Sequence, residues 1–120
     1  MMNKEKQRKI AIRNGKSYNT ILHKDILYIE SQAKKICFYT IHSEEFSCYA
    51  KLDEIEVDLN DNRFLRCHKS FIVNMDYIQK IDTNMFYLKN DQPIPIKQKT
   101  YTAIRQQYMD YISDKVNLDA

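Results

Sequence analysis

The sequence predicts a mainly β domain with one short helix and one C-terminal helix, and three observations lead to this fold class. Short runs of Val, Ile, Thr, Tyr and Phe alternate with clusters of Asn, Asp, Ser and Gly, as strands and turns do. Helical spacing of apolar residues is clear in two stretches, residues 49–59 and 100–116. At 120 residues and 43% hydrophobic content, the chain can bury a modest core as one domain.

The first predicted hairpin surrounds the only glycine in the chain. Residues 9–13 and 16–22 have the composition of strands and flank Asn14 and Gly15. Because Asn-Gly tolerates the positive φ angles of a type I′ turn, these two runs are predicted to pair.

A second predicted hairpin exposes two lysines. Residues 25–31 and 34–41 are rich in β-forming residues and are separated by a short turn, so Lys34 and Lys35 fall at the tip. A polar turn then leads into a further strand at residues 46–49.

The hydrophobic period changes after this strand. Leu52, Ile55 and Leu59 recur at intervals of three and four residues, which predicts a short amphipathic helix within residues 49–59. Residues 64–67 follow a polar turn and are predicted to be extended.

The next segment is predicted to be partly helical. Ser70 can start a turn or two of helix that runs through Asn74, because its hydroxyl can accept from an amide two or three residues on. Asn74 is predicted to cap or turn the backbone. Residues 77–82 and 85–89 then form a strand pair, and the prolines around residues 94–96 favour an edge strand.

The most regular helical pattern lies at the C-terminal end. Within residues 100–116, an apolar stripe recurs with helical spacing; it consists of Tyr101, Ile104, Tyr108 and Ile112. The domain is therefore predicted to span residues 8–116. Residues 1–7 are predicted to be a flexible lead-in or the stub of a linker, and residues 117–120 a frayed tail.

Composition argues against several classes of protein. No apolar run approaches the roughly 20 residues that cross a bilayer, and no apolar stretch near the N-terminus suggests a secretory signal. The three cysteines are odd in number and form no CxxC pair, which argues against a disulfide framework and a zinc site. These residues, Cys37, Cys48 and Cys67, are expected to be ordinary buried or half-buried thiols in a cytoplasmic protein.

An enzyme is not expected. Cys67 and His68 suggest a nucleophile and its base, but consecutive side chains on a strand point to opposite faces. Leu65 and Cys67 are therefore predicted to face inward and Arg66 and His68 outward. The histidines show no metal-ligand spacing, and a single glycine gives no nucleotide-binding loop, so no catalytic site, cofactor or metal is predicted. A hydrolase would require a concave site with a perturbed titratable pair.

Three basic clusters without acidic neighbours fall at predicted loops or loop edges, although residues 44–61 carry seven acids and one lysine. Such cations can neutralise phosphates, and amide, guanidinium or imidazole groups beside them can reach base edges in the major groove. The pattern favours nucleic-acid binding more strongly than the net charge of +3 does. The clusters are Lys34-Lys35, Arg66-His68-Lys69 and Lys97-Gln98-Lys99.

Residues 64–74 resemble the defining stretch of the LytTR family of bacterial DNA-binding domains. This stretch has an aromatic residue, then Arg-x-His-x-Ser, an apolar pair and Asn. The matching residues are Phe64, Arg66, His68, Ser70, Ile72, Val73 and Asn74, followed by Ile78 and Ile81. Residues 25–31 and 94–96 resemble further family segments, and the resemblance covers approximately residues 8–112.

The resemblance implies an elongated stack of about eight to ten short strands in small antiparallel sheets, with loops that enter successive major grooves of duplex DNA. It also implies the effector domain of a response regulator, behind a receiver domain, in a two-component system. Binding to paired direct repeats and dimerisation on DNA would follow. The implied DNA-contacting residues are Lys34, Lys35, Arg66, His68, Lys69, Ser70, Lys97, Gln98 and Lys99.

One departure affects base preference. The third loop of the family usually carries Ser-Arg where this chain has Lys97 and Gln98. Arginine reads guanine, whereas glutamine prefers adenine, so either Gln98 prefers a different base or Lys99 takes over as a phosphate contact. For His68, a role in shaping the loop is favoured over a direct phosphate contact.

Two other binding functions remain open at this level. A protein-interaction module of the same fold would dock through the terminal helix, and it requires an exposed stripe there. A binder of single strands or RNA would instead require exposed aromatic residues on a sheet face. The operator, the regulated genes and the choice between activation and repression do not follow from the sequence.

Overall fold

The structure, a computed structural model, describes the backbone of residues 7–119 and the side chains as far as residue 115. This part of the chain forms ten strands and two α-helices in small antiparallel sheets, which confirms the predicted mainly β fold class. The contacts divide it into two compact units whose boundary in the sequence lies between Asn60 and Asp61.

The first unit contains a two-stranded hairpin, an antiparallel strand triplet and a short helix. β4 lies between β3 and β5, and β1 pairs with β2. Ile10 and Ile12 on alternate positions of β1 and Ile21 on β2 are buried, as a half-buried hairpin requires. The elements are β1 (Lys9–Asn14), β2 (Ser17–Leu22), β3 (Ile26–Gln32), β4 (Lys35–Thr40), β5 (Glu45–Tyr49) and α1 (Leu52–Leu59).

The first hairpin forms as predicted, but its turn is displaced by one residue. Asn14 pairs with Ser17, so the turn residues are Gly15 and Lys16 rather than Asn14 and Gly15. Gly15 adopts a φ of 67°, and Lys16 is not among the residues with positive φ. The predicted type I′ turn is therefore wrong, because that turn needs positive φ at both central residues.

The second unit contains a hairpin, a three-stranded sheet and the terminal helix. β6 pairs with β7, and β9 lies between β8 and β10. Pro93 and Pro95 lie on β10 at the edge of the sheet, as predicted. The elements are β6 (Phe64–His68), β7 (Phe71–Asn74), β8 (Ile78–Asp82), β9 (Met85–Leu88), β10 (Pro93–Pro95) and α2 (Tyr101–Asp119).

The predicted helical turn from Ser70 to Asn74 is wrong. Residues Phe71–Asn74 form β7, since Phe, Ile and Val suit a pleated, half-buried surface better than a short helix. The capping function predicted for Asn74 is confirmed, but for the turn that follows this residue. Its side-chain oxygen accepts from the amide of Asp76 at 2.9 Å and starts the 3₁₀ turn Met75–Tyr77.

The terminal helix packs through its apolar stripe. Ile104 and Tyr108 are only 8% and 7% exposed, and Tyr101 and Ile112 are half-buried. The ring of Tyr108 meets the ring of Phe86 edge-on, with centroids 5.3 Å apart. The backbone of α2 is helical as far as Asp119. Residues 1–6 of the predicted lead-in and Ala120 of the predicted tail lie outside the described residues, and these domain boundaries stay predictions.

Candidate nucleic-acid interface

Alternation along β6 separates its core residues from its candidate binding residues. Leu65 and Cys67 are 3% and 1% exposed, whereas Arg66 and His68 are half-buried on the other face. This is the orientation that the sequence predicts. The pairing with β7 is irregular between Arg66 and His68, and the two-residue turn Lys69-Ser70 follows. The irregularity changes the local direction of the strand just before this turn.

Arg66 holds the main chain of the turn that follows it. Its Nε donates to the carbonyl of His68 at 3.0 Å, and its Nη2 donates to the carbonyl of Lys69 at 2.7 Å. A planar guanidinium makes these bonds from two separate nitrogens in a fixed relative orientation, whereas an ammonium group has a single nitrogen on a flexible stem. Arg66 therefore fixes the turn that presents the exposed side chain of Lys69.

His68 organises the same turn from its other side. Its Nδ1 accepts from the amide of Ser70 at 3.1 Å, and its ring meets Phe71 edge-on at 5.7 Å. Burial lowers the pKa of His68, and the positive charges of Lys69, Lys97 and Arg66 lower it further. The neutral ring that accepts at Nδ1 carries its proton on Nε2, which is then a hydrogen-bond donor.

The third cluster is attached to β6 through the main chain. The amide of Lys97 donates to the carbonyl of Cys67 at 2.7 Å, and the amide of Ile96 donates to the carbonyl of Asn84 at 2.9 Å. Lys97, Gln98 and Lys99 are exposed. A 3₁₀ turn, Gln98–Thr100, then leads directly into α2.

The second and third clusters form one basic surface. A cleft of about 340 Å³ lies between them, and none of its lining residues is acidic. The charge of Lys97 acts on the ring of His68, which agrees with their closeness across this cleft. We refer to this region as the basic cleft; its lining residues are Arg66, Cys67, His68, Lys69, Lys97, Thr100 and Ile104. Sequence analysis missed Thr100 and Ile104 as parts of it, although Ile104 was visible in the helical stripe.

The first cluster belongs to the other unit. Lys34 lies in the turn between β3 and β4, and Lys35 begins β4. Both side chains are exposed, as predicted. Ala33 precedes them with a φ of 58°, a conformation that L-residues seldom adopt outside turns.

The thiol of Cys67 is poorly suited to act as a nucleophile. Burial raises the pKa of Cys67 to about 12, with small opposing effects from a backbone hydrogen bond and from Arg66. The His68 side chain lies on the opposite face of β6. Among the described residues, no group of three or more His, Cys, Asp or Glu side chains is placed to hold a metal ion.

Comparison with known proteins identifies the family. A model of the family described as the LytTr DNA-binding domain matches residues 16–109. This chain belongs to the LytTR family. The recognised stretch includes all three basic clusters and the whole Arg-x-His-x-Ser motif. LytTR membership means that the domain binds DNA in transcription regulation.

Two curated relatives are similar over most of this LytTR chain. The transcriptional regulatory protein NatR of Bacillus subtilis (strain 168) is 29% identical over 107 residues, which are 88% of this chain and 44% of NatR. The accessory gene regulator protein A of Staphylococcus aureus (strain N315) is 29% identical over 99 residues, which are 80% of this chain and 38% of that protein. The chain thus spans less than half the length of both relatives.

A solved structure supports the LytTR fold. The LytTr DNA-binding domain of a Bacillus cereus protein aligns with a TM-score of 0.71 at 24% sequence identity and covers 86% of this chain and 97% of its own. Within residues 7–119, no helix combines the length and apolar character needed to cross a bilayer. In the apolar stripe of α2, Ile104 and Tyr108 are buried, whereas Tyr101 and Ile112 are half-buried.

Proposed function

We propose that this LytTR domain binds specific duplex DNA sequences through loops inserted into successive major grooves. The observation that carries the proposal is the basic cleft, where two loops with exposed lysines are anchored to β6. The second loop is held by the side chains of Arg66 and His68, and the third by the main-chain bond from Lys97 to Cys67. Anchored loops lose little conformational freedom when DNA binds, so a larger part of the contact energy appears as affinity.

The residues of the basic cleft divide into contacting and supporting groups in this proposal. Lys69, Lys97 and Lys99 neutralise phosphates, which gives affinity without sequence preference. Gln98 projects from the start of the third loop and reads a base edge, with adenine as its favoured partner. Arg66 supports the second loop through the two carbonyls that it holds.

The remaining predicted site residues take smaller parts. His68 and Ser70 maintain the turn through their mutual hydrogen bond, while the Nε2–H of His68 can donate to a phosphate. Lys34 and Lys35, in the first loop, contact another part of the duplex. These assignments account for all three basic clusters.

We further propose that the domain is the effector part of a longer cytoplasmic regulator. The relatives are named as regulatory proteins, and this chain matches less than half of each. In this proposal, a receiver domain upstream of the DNA-binding domain makes up the additional length. Binding as a dimer to paired direct repeats is the arrangement proposed on DNA.

The deciding experiment is a salt series of fluorescence anisotropy with random-sequence duplex DNA. Wild type should bind at low salt, and the logarithm of its affinity should fall linearly with the logarithm of the salt concentration. Lys69→Ala should weaken binding and reduce the salt slope by about one, because one phosphate contact is lost.

Lys80→Ala is the matched control for this series. Lys80 is an exposed lysine of the same unit that lies on β8 over the ring of Tyr87 and lines no part of the basic cleft. Its removal should leave the salt slope close to that of wild type.

Absence of duplex binding by wild type at low salt would refute the proposed function. Equal losses in the two variants would refute the assignment of the basic cleft. Selection of a preferred duplex would follow a positive result.

A further inference from the structure

A polar cluster joins the distal part of α2 to the turn after β7. The hydroxyl of Tyr111 donates to Oδ1 of Asp76 at 2.6 Å, and Nζ of Lys115 lies 3.2 Å from the same oxygen. Lys115 also lies over the ring of Tyr111, 5.4 Å from its centroid. We call these three residues the Asp76 cluster. Tyr111 and Lys115 lie beyond residues 16–109, the part of the chain that the family model matches.

Asp76 is a fixed point for this contact. Its amide donates to the side-chain oxygen of Asn74 at 2.9 Å, and Asn74 is fully buried. The amide of Met75 donates to the carbonyl of Arg63 at 2.7 Å, which ties the same turn to the segment before β6. The carboxylate therefore projects from a turn that is held on both sides by hydrogen bonds.

The Asp76 cluster continues the buried stripe of α2. Positions 104, 108, 111 and 115 follow one another at intervals of four, three and four residues and share one helix face. The first two, Ile104 and Tyr108, are buried and apolar. The last two, Tyr111 and Lys115, bind Asp76 through polar groups. Thus α2 is held by apolar packing near its start and by a hydrogen bond farther along.

The start of α2 belongs to the basic cleft. Ile104 and Thr100 line the cleft beside Lys97, and Thr100 immediately precedes the helix. The axis runs about 16 Å between Thr100 and Tyr111 at about 1.5 Å per residue. A helix is stiff over this length, so a change in its orientation at Tyr111 displaces the residues at its start.

We propose that Tyr111 and Lys115 are positioning residues, which bind Asp76 and so hold α2 in the orientation that presents the third loop to DNA. The proposal rests on the proposed function of the basic cleft and adds a structural support for it. Tyr111 makes the principal contact, because the ion pair of Lys115 is largely exposed and such pairs contribute little. Burial raises the pKa of Tyr111, as does its hydrogen bond to Asp76, so the hydroxyl remains a donor at neutral pH.

The test is a double-mutant cycle on duplex affinity with Tyr111→Phe, which removes only the hydroxyl. This substitution should weaken binding about threefold to tenfold, the equivalent of about one hydrogen bond. If the effect passes through the third loop, the loss should largely disappear in a Lys97→Ala background. It should persist in a Lys35→Ala background, since Lys35 belongs to the first loop. Tyr18→Phe is the matched control, because Tyr18 is 68% exposed and its hydroxyl can be removed without effect on the cluster.

A second readout separates this proposal from the proposed function. Amide chemical shifts of residues 97–99 should move in Tyr111→Phe without DNA and stay unchanged in Tyr18→Phe. Unmoved shifts, unchanged affinity, or a loss that is fully additive with Lys97→Ala would each overturn the positioning role. Failure of wild type to bind DNA, with the shifts still moving, would overturn only the proposed function. Should Tyr111→Phe fold poorly in thermal melts, Lys115→Ala provides the same measurements with a smaller expected change in the same direction.

Discussion

The turn between β3 and β4 and the turn between β6 and β7 present lysines in different ways. Both connect antiparallel strands through two residues, Ala33-Lys34 in one and Lys69-Ser70 in the other. Arg66 and His68 bind main-chain groups of the second turn. In the first turn, the side chains of Lys34 and Lys35 make no hydrogen bond or ion pair with any residue that the structure describes. Ala33 in the same turn has positive φ.

This difference shows that turns with similar exposed charges can differ in how firmly their main chains are held. The main chain of the second turn is fixed by three side-chain bonds before any ligand arrives. Binding there costs less conformational entropy than at a hairpin tip held only by its strands. The second turn is therefore suited to fixed geometry, and the first to adaptable contact.

The largest expected effect comes from an exchange of Arg and Lys between the two turns. Arg66→Lys keeps the charge but cannot reproduce the two bonds to the carbonyls of His68 and Lys69. We expect duplex affinity to fall about tenfold to hundredfold, because charge-assisted bonds of this kind are among the stronger ones. Fluorescence anisotropy measures the change.

The reverse exchange, Lys35→Arg, should keep duplex affinity within about twofold of wild type, because Lys35 is exposed and its side chain has no fixed partners among the described residues. Thermal melts establish that both variants fold. An Arg66→Lys protein that is folded and binds as tightly as wild type would remove the proposed difference between the turns.

A pH-dependent effect of intermediate size should separate His68 from an ordinary surface histidine. Protonation at Nδ1 removes the acceptor for the Ser70 amide, and the lowered pKa of His68 shows that the folded state favours the neutral ring. The stability from this preference is present above about pH 6.5, the unfolded value, and is lost as the pH falls through the lower folded pKa.

Urea unfolding without DNA at pH 7.5 and 5.5 measures this contribution. His68→Gln should reduce the loss of unfolding free energy between the two pH values, whereas His42→Gln, on an exposed residue of the first unit, should leave this His68 contribution in place. The same pH dependence in wild type and His68→Gln would contradict the preference of the folded state for a neutral His68, which burial and the nearby positive charges cause.

The smallest expected effect concerns the strained residue of the first turn. Ala33→Gly relieves the positive φ of 58° and should stabilise the protein by about 0.5–1 kcal/mol, after the greater flexibility of glycine in the unfolded chain is taken into account. Lys34→Gly should destabilise it, because Lys34 does not have positive φ. Thermal melts compare the two, and equal changes would contradict the strain at Ala33.

Local patterns in the sequence predict the elements well where a single period dominates. The hairpin around Lys34, the helix containing Leu52 and the edge strand with Pro95 all follow from composition and spacing. The opposite orientations of Cys67 and His68 follow from the alternation of a strand. The segment after Ser70 is a strand and not the predicted helical turn, because the β preference of Phe71, Ile72 and Val73 outweighs the capping preference of Ser70.

Contacts that depend on the folded backbone could not be derived in this way. Arg66 can reach many acceptors, and only the folded turn brings two carbonyls within reach of its fork. The bond from Tyr111 to Asp76 joins positions 35 residues apart and requires α2 to be docked. The displacement of the turn at Gly15 depends on strand register, which a dipeptide preference does not determine.

The bond between the amide of Lys97 and the carbonyl of Cys67 has a consequence for the diversification of regulators. Backbone groups make it, so a new side chain at position 98 leaves this attachment in place. In the proposed mode of binding, the side chain at position 98 reads a base, so a substitution there changes base preference while the loop stays attached to β6. A regulator of this kind could then acquire a different target sequence through one exposed residue, with little loss of stability.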